Sequence, residues 1–257
     1  MRRSSVAAAA ALRACIAATH AGLTERDLSA LFQFRTAVQG AQSLSYTPVA
    51  AAGANACTIH YCRADSRLES GDVMLMDAGC ELHGYASDVT RTWPVSGRFT
   101  AEQRAVYDAV ARTHAACLAA LRPGATLRAV HQLSVDMLAD AARDLGLQGP
   151  VLQYYPHSVG HWLGLDTHDC GHVRQNTPLE PGVTLALEPG LYLRGAGVPP
   201  GLQGVGVRLE DDVVITEGGA EVLSAGVPLQ AEAVEELVGS AAAAWPALAA
   251  GGGAAAA

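Results

Sequence analysis

The sequence has few basic residues, with 17 Lys and Arg against 25 Asp and Glu and a formal net charge of -8. This balance argues against sequence-independent binding to nucleic acid or to an anionic membrane surface, because both depend on clustered positive charge. The sequence also lacks any apolar run close to the roughly 20 uncharged residues that a membrane-spanning helix needs. We therefore expect no nucleic-acid partner and no membrane partner, and small neutral or cationic ligands instead.

CxxC spacing is absent as well. The chain of 257 residues is 50% hydrophobic, which supports a sizeable buried core and a globular protein. A chain of this size does not need a disulfide framework, so the cysteines are expected to be reduced thiols in an intracellular compartment. They are scattered along the sequence: Cys15, Cys57, Cys62, Cys80, Cys117 and Cys170.

The N-terminus, MRRSSVAAAAALRACIAATHAG, is basic and has no acidic residue before Glu25. Its composition fits an organelle transit peptide, or a first helix capped by Ser4 or Ser5 and ended by Gly22. Further helices are predicted where a capping residue precedes an apolar periodicity. These starts are Thr24 with Asp27, Thr100 with Gln103, and Thr126 for a helix running toward Gly146, with a short helix at 232–238 near the end.

Two aspartates lie in an apolar, strand-rich region. GDVMLMDAGC is typical of a buried strand, which places Asp77 at or near its end. A turn at 81–84 and a returning strand would bring Asp88 beside it. Two buried carboxylates are costly, and a divalent cation is one way to offset that cost. The alternative is that each aspartate caps a turn or pairs with an arginine such as Arg91.

Three histidines, His157, His161 and His168, fall close together in HSVGHWLGLDTHDCGH, among glycines that allow close approach. Imidazole is the commonest transition-metal ligand and a proton shuttle near neutral pH. A lone histidine here would more often be a core residue with satisfied hydrogen bonds. Three of them indicate a functional site.

Glu188 in VTLALEPG and Glu210 in VGVRLEDDVVIT end or interrupt apolar strands. Glu188 follows a core-like run, so it is not an ordinary solvated charge; the alternative is a buried pair with Arg208 or Arg194. Four carboxylates and one imidazole together suit two divalent ions such as Mn²⁺, Co²⁺ or Zn²⁺.

Five motifs occur in a characteristic order: TIHY with His60, MDAGCELHGYASDVTRTWPVSGRFT, PHSVGHWLGLDTHD, ALEPGLYL and VGVRLEDDVVIT. Together they resemble the pita-bread metallopeptidases of the aminopeptidase P and prolidase branch, nearest to the mitochondrial or plant intermediate-cleaving type. The resemblance covers residues 1–239 as a catalytic domain. It implies an α+β pita-bread fold, in which a curved antiparallel sheet carries two helix pairs on its outer face. Residues 240–257 form an Ala/Gly tail that is predicted to be disordered.

The resemblance also implies the roles of particular residues. Two metal ions, Mn²⁺ first with Co²⁺ or Zn²⁺ as alternatives, would be held by five ligands, of which Asp88 and Glu210 would bridge the ions: Asp77, Asp88, His161, Glu188 and Glu210. Glu188 would also act as the general base, and Arg208 would orient a carboxylate ligand. Three histidines would contact the substrate or the transition state: His60, His157 and His168.

The implied activity is removal of the first residue from peptides or protein N-termini, with proline in the second position. Alternatives are an Xaa-Pro dipeptidase or a non-catalytic pita-bread binding module; the histidine spacing suits methionine aminopeptidase less well. Relatives carry a further N-terminal domain, so the chain is expected to be the catalytic domain only. Its basic start then corresponds to an internal helix. Mitochondrial location follows from the resemblance alone, with the cytoplasm as alternative, and the resemblance allows a homodimer.

Overall fold

A computed structural model describes residues 1–242. Residues 243–257, which make up most of the predicted tail, lie outside the described part. Within the described range five α-helices accompany twelve β-strands. The helices are α1 Arg2–Ala18, α2 Glu25–Val38, α3 Ala101–Ala120, α4 Leu127–Asp144 and α5 Ala231–Leu237. The strands are β1 Ser43–Leu44, β2 Val49–Ala52, β3 Val73–Ala78, β4 Cys80–Leu82, β5 Tyr85–Ala86, β6 Val89–Pro94, β7 Gly160–Trp162, β8 Thr184–Leu187, β9 Gly190–Leu193, β10 Val205–Arg208, β11 Asp211–Thr216 and β12 Gly219–Val222.

The predicted helix starts are confirmed for α2, α3 and α4. Thr24 and Thr100 each form a complete capping box, with Asp27 and Gln103 respectively. The Thr126 side chain accepts a hydrogen bond from the backbone N–H of residue 129 and caps α4. These caps satisfy N–H groups that have no partner inside the helix, which is why the local sequence predicts them.

The predicted bounds of α1 are wrong. The helix begins at Arg2 with Met1 as its N-cap, and it ends at Ala18, before the predicted Gly22. The hydroxyl groups of Ser4 and Ser5 donate to the carbonyl of Met1 at 2.6 and 3.3 Å from within the first turn. Both hydroxyl groups donate to a carbonyl and neither accepts from a free N–H group, so neither serine caps the helix, and a serine near a helix start does not fix the capping position.

Every strand pairing is antiparallel. The sheets have the strand orders β1-β4-β5, β2-β3-β6, β10-β9 and β12-β11-β8-β7. Helix α1 packs against α2, and α3 packs against α4. The predicted α+β class with two helix pairs and antiparallel sheets is confirmed. No helix among residues 1–242 combines the length and the apolarity needed to cross a membrane.

Strand β3 is the central strand of its sheet, since it pairs with β2 on one side and with β6 on the other. All six of its residues are buried, as the continuous apolar run predicted. Met74 and Met76 pack in the core cluster that contains α1, while Val73 and Leu75 belong to a cluster on the opposite face. Strand alternation places Asp77 on this second face, away from the helices.

Two local features differ from the simplest reading of the sequence. A small hairpin, β4 and β5, lies between β3 and β6, and its turn uses the positive φ angles of His83 (54°) and Gly84 (81°). VGVRLEDDVVIT does not form one strand: β10 and β11 belong to different sheets, and Leu209 and Glu210 lie between them. This break places Glu210 where two sheets meet.

Candidate metal centre

The five predicted ligands meet in one cleft of about 830 Å³. Asp77 lies near the end of β3, and Asp88 immediately precedes β6. His161 is in the middle of β7, Glu188 follows β8, and Glu210 lies between β10 and β11. Each carboxylate except Asp77 is thus at a strand end, where the chain leaves the ladder and the side chain can turn into the cleft.

Asp77 and Asp88 approach each other through Tyr46. Its hydroxyl group is in short contact with one carboxylate oxygen of each aspartate. A phenol has a single hydrogen to donate, so it satisfies only one of the two oxygens at a time. Burial raises the pKa of Asp77 to about 6, although the neighbouring Arg208 opposes the rise. Because two negative carboxylates this close repel each other, a positive charge shared between them would stabilise the pair.

Arg208 is buried and supplies part of that positive charge. Its guanidinium donates to a carboxylate oxygen of Asp77 at 2.6 Å, to the hydroxyl of Tyr192 at 2.8 Å and to the hydroxyl of Thr90 at 3.1 Å. These bonds leave the second carboxylate oxygen of Asp77 turned toward Tyr46. Arg208 therefore fixes the orientation of the aspartate, the geometry expected of a residue that orients a ligand.

His161 presents one specific nitrogen to the acidic residues. Its Nδ1 lies 3.0 Å from the backbone carbonyl of Trp162, which can only accept a hydrogen bond, so Nδ1 carries the hydrogen. Nε2 then faces Asp88 at 3.3 Å and Glu188 at 3.8 Å. Burial opposes protonation, but these two carboxylates raise the pKa of His161 to about 9. A cation at Nε2 would replace that proton.

Gly160 allows this placement. A Cβ atom on Gly160 would lie 2.1 Å from the backbone oxygen of Ala186 in the neighbouring strand β8. Only glycine lets β7 approach β8 this closely, because any other side chain would overlap that oxygen.

Glu188 and Glu210 complete the cluster. Burial is the main cause that raises the pKa of Glu188 to about 7. For Glu210, burial and the charges of Asp88 and Glu188 place the pKa well above its usual value. The Thr90 hydroxyl donates to Glu210 at 2.5 Å. Asp88 is different: burial raises its pKa, but His161, Tyr46 and Arg208 together outweigh burial and lower it.

The donor atoms fit divalent cations. Three groups of residues each bring three ligand atoms to within 4.8 Å of one another, and any two groups share one residue. The groups are Asp77, Asp88 and Glu210; His161, Glu188 and Glu210; and Asp88, His161 and His168. The raised carboxyl pKa values show that the cluster is electrostatically costly when it holds no cation, and oxygen-rich sets of this kind suit hard or borderline ions.

The three histidines that were predicted to contact the substrate differ in how they are held. The Nδ1 of His157 donates to the carbonyl of Ser158, and its Nε2 lies 2.8 Å from the hydroxyl of Tyr192. Burial and the charge of Arg208 lower the pKa of His157 to about 3, so the ring is neutral. His60 and His168 are exposed and line the same cleft. His168 packs edge-on against His161, with 4.4 Å between ring centroids.

The alternative of pairing with an arginine holds for Asp77, whose partner is Arg208, and does not hold with the arginines named for the other residues. Arg91 pairs with Asp211 at 2.7 Å, not with Asp77 or Asp88. Arg208 pairs with Asp77, not with Glu188. The carboxylate of Glu188 instead lies 3.6 Å from Nδ1 of His157.

The profile of metallopeptidase family M24 matches residues 1–217. The chain belongs to this family. Among M24 relatives, the chain is 42% identical over 218 residues to the mitochondrial intermediate cleaving peptidase 55 of Arabidopsis thaliana, covering 83% of this chain and 44% of that protein. It is 37% identical over 230 residues to Xaa-Pro aminopeptidase 3 of Mus musculus, covering 86% of this chain and 46% of that protein.

The solved structure of the aminopeptidase PepP from Pseudomonas aeruginosa superposes with a TM-score of 0.90 at 37% identity, covering 95% of this chain and 58% of that chain. The M24 chain therefore has the pita-bread fold that the resemblance implied. It spans about half the length of the curated relatives it matches.

Sequence reasoning missed two tyrosines of the M24 site, Tyr46 and Tyr192. Tyr192 stands in the ALEPGLYL motif, four residues after Glu188, and a polar group inside an apolar strand was the available signal. Tyr46 lies just before β2 and no local pattern marks it. Both act through contacts between distant segments, which a single sequence does not display.

Proposed function

We propose that the chain is a metal-dependent aminopeptidase that removes the N-terminal residue from peptides, with proline preferred in the second position. The observation that carries this proposal is the overlap of the three donor groups within a single cleft. Family membership supports peptide hydrolysis, and the Xaa-Pro aminopeptidase name of the murine relative supports the proline preference.

We infer that Asp77, Asp88, His161, Glu188 and Glu210 hold two divalent ions. Bound ions of this kind supply a water of lowered pKa and polarise the scissile carbonyl. Mn²⁺ is proposed first because the donors are mostly carboxylate oxygens, with Co²⁺ or Zn²⁺ as alternatives. Arg208 and Thr90 orient the carboxylates of Asp77 and Glu210 before any ion binds.

Glu188 is proposed as the general base. Its carboxylate lies between His157 at 3.6 Å and His161 at 3.8 Å, at the edge of the ligand cluster. From this position it would take a proton from water and return it to the leaving nitrogen.

The remaining roles follow from which histidine nitrogens are engaged. Both nitrogens of His157 have partners, so we assign this ring to shaping the substrate site next to Glu188. Among residues 1–242 no hydrogen bond engages the rings of His60 or His168, and both line the cleft. We therefore assign oxyanion stabilisation to His168, which is near His161, and contact with the peptide to His60.

The free amino terminus of the substrate is proposed to lie close to the carboxylate-rich face of the ligand cluster. Carboxylate oxygens that the ions leave free would accept hydrogen bonds from the α-ammonium group. Cleavage would then occur next to the N-terminal residue, as in an exopeptidase.

The test is release of the first residue from an Xaa-Pro-Yaa tripeptide by metal-free protein reloaded with Mn²⁺, beside Asp88→Ala and Glu188→Gln. We expect full activity only in the loaded wild type and none in Asp88→Ala. Glu188→Gln should still bind metal and should turn over at least about 100-fold more slowly than the wild type. Folded, metal-loaded and inert wild type would indicate a non-catalytic binding module. Faster cleavage of Xaa-Pro dipeptides than of tripeptides would indicate a prolidase.

Two further properties are proposed from the resemblance. The name of the Arabidopsis relative supports a mitochondrial compartment, which fractionation of cells expressing a tagged protein would test. Homodimer formation stays a prediction, and light scattering of the purified chain would measure it.

A further inference from the structure

Glu25, at the first position of α2, is fully buried although it is ionisable and far from the ligand cluster in sequence. One carboxylate oxygen accepts from the backbone N–H of Ala52 at 2.8 Å and from the Asn55 amide at 2.9 Å. The other accepts from the Tyr61 hydroxyl at 2.9 Å and from the backbone N–H of Ser66 at 3.0 Å. All four partners act as donors, so the bonds match an ionised carboxylate, which only accepts.

These four bonds hold one continuous segment, residues 52–66. A short 3-10 turn covers Gly53–Cys57, and residues 58–66 form neither helix nor strand. The backbone N–H of Glu25 also donates to the carbonyl of Ser66 at 3.0 Å. Residues 58–66 have no regular hydrogen-bonding ladder, so the bonds from Tyr61 and Ser66 to the carboxylate hold this stretch together with the bridge between Thr24 and Arg67 at its end.

The same segment holds two strained residues. His60 and Ala64 have φ angles of 53° and 47°, in the left-handed region that residues with a Cβ rarely adopt. Such conformations persist only when the surrounding structure enforces them. The Glu25 anchors bracket both: Asn55 and Tyr61 lie on either side of His60, and Tyr61 and Ser66 lie on either side of Ala64.

His60 is exposed and lines the cleft that contains the ligand cluster. We propose that Glu25 is a positioning residue, which fixes segment 52–66 and thereby holds His60 at the rim of the cleft; its effect on turnover rests on the proposed function.

The test substitutes Glu25→Gln, which keeps the size of the side chain. The NH₂ group of the glutamine replaces one carboxylate oxygen. It then faces the backbone N–H of Ala52 or of Ser66, and that N–H loses its hydrogen-bond acceptor. Asp27→Asn is the matched control, since Asp27 lies in the same first turn but bonds only Thr24 and does not touch the segment.

Two readouts are measured. Hydrogen exchange of the Ala52 and Ser66 amides should become at least tenfold faster in Glu25→Gln and stay unchanged in Asp27→Asn. The kcat/KM for an Xaa-Pro-Yaa peptide should fall by about 100-fold, the loss typical of a displaced catalytic-site group. In a His60→Ala background the same substitution should cost less than about threefold, because coupled residues are not additive.

The proposal is overturned if exchange at both amides matches the wild type, or if Glu25→Gln costs as much without His60 as with it. Should Glu25→Gln fail to fold, Asn55→Ala removes one anchor and must show the same pattern more weakly. A wild-type chain without peptidase activity would refute the proposed function, while the exchange measurement would still decide whether Glu25 holds the segment.

Discussion

Replacing Gly160 by alanine tests whether the close approach of β7 and β8 sets the metal geometry. The new Cβ would lie 2.1 Å from the backbone oxygen of Ala186, so the strands must separate by roughly 1 Å to restore normal contact. His161 is the next residue, and its Nε2 lies 3.3 Å from Asp88. A shift of this size moves the imidazole out of reach of an ion held by Asp88 and Glu188.

The expected loss is about 10- to 100-fold in affinity for the ion that His161 contacts, the range for disturbed support of a metal ligand. Overpacking should also cost about 1–3 kcal/mol of unfolding free energy. Isothermal titration of metal-free protein with Mn²⁺ measures the first effect, and thermal denaturation measures the second.

Gly171→Ala is the matched control in the same histidine-rich region, because a Cβ there meets nothing within 4 Å. This variant should bind Mn²⁺ like the wild type. If folded Gly160→Ala binds every ion with wild-type affinity, the strand separation does not govern the ligand geometry and the reasoning is refuted.

Three further outcomes are expected. The neighbouring carboxylates outweigh burial and raise the pKa of His161 to about 9, so between its usual value of 6.5 and about 9 this ring binds a proton in the folded metal-free chain and not in the unfolded chain. Stability without metal should therefore fall as pH rises from 6.5 to 9, while the gain in melting temperature on adding Mn²⁺ grows; scanning fluorimetry with EDTA or Mn²⁺ measures both, and a pH-independent gain contradicts the argument. Arg208→Met leaves buried Asp77 without its cation and should lower unfolding free energy by about 3 kcal/mol in EDTA and by less with Mn²⁺; equal losses would contradict it. Thr100→Ala removes a cap of α3 and should cost about 1 kcal/mol, a drop of roughly 2–4 °C in melting temperature, without changing turnover.

The features that local sequence predicted are those that local physics controls. The caps at Thr24, Thr100 and Thr126 depend on side chains and N–H groups within one turn. The buried strand that carries Asp77 follows from four consecutive apolar residues after the turn residues Gly71 and Asp72. In each case the partners are neighbours in sequence, so the pattern contains the whole interaction.

The features that sequence missed join distant segments. Tyr46 contacts Asp77 and Asp88 across 31 and 42 residues. The division of VGVRLEDDVVIT between two sheets depends on β9 and β8, to which β10 and β11 pair. The error at Ser4 and Ser5 was different in kind, because a serine can lie inside the first turn and donate back to a carbonyl without capping the helix.

The ligand cluster is held together by contacts that need no cation. The backbone N–H of Glu210 donates to the carbonyl of Thr90 at 3.0 Å, and buried Arg91 donates to the carbonyl of Glu210 at 2.7 Å. The backbone N–H of Asp88 donates to a carboxylate oxygen of Asp212 at 3.0 Å. These bonds join β6 and the residue before it to segment 210–212, so the strands that carry the ligands are linked independently of metal. The fold therefore holds the four carboxylates together despite their mutual repulsion. Ion binding relieves this repulsion and does not first have to assemble the site.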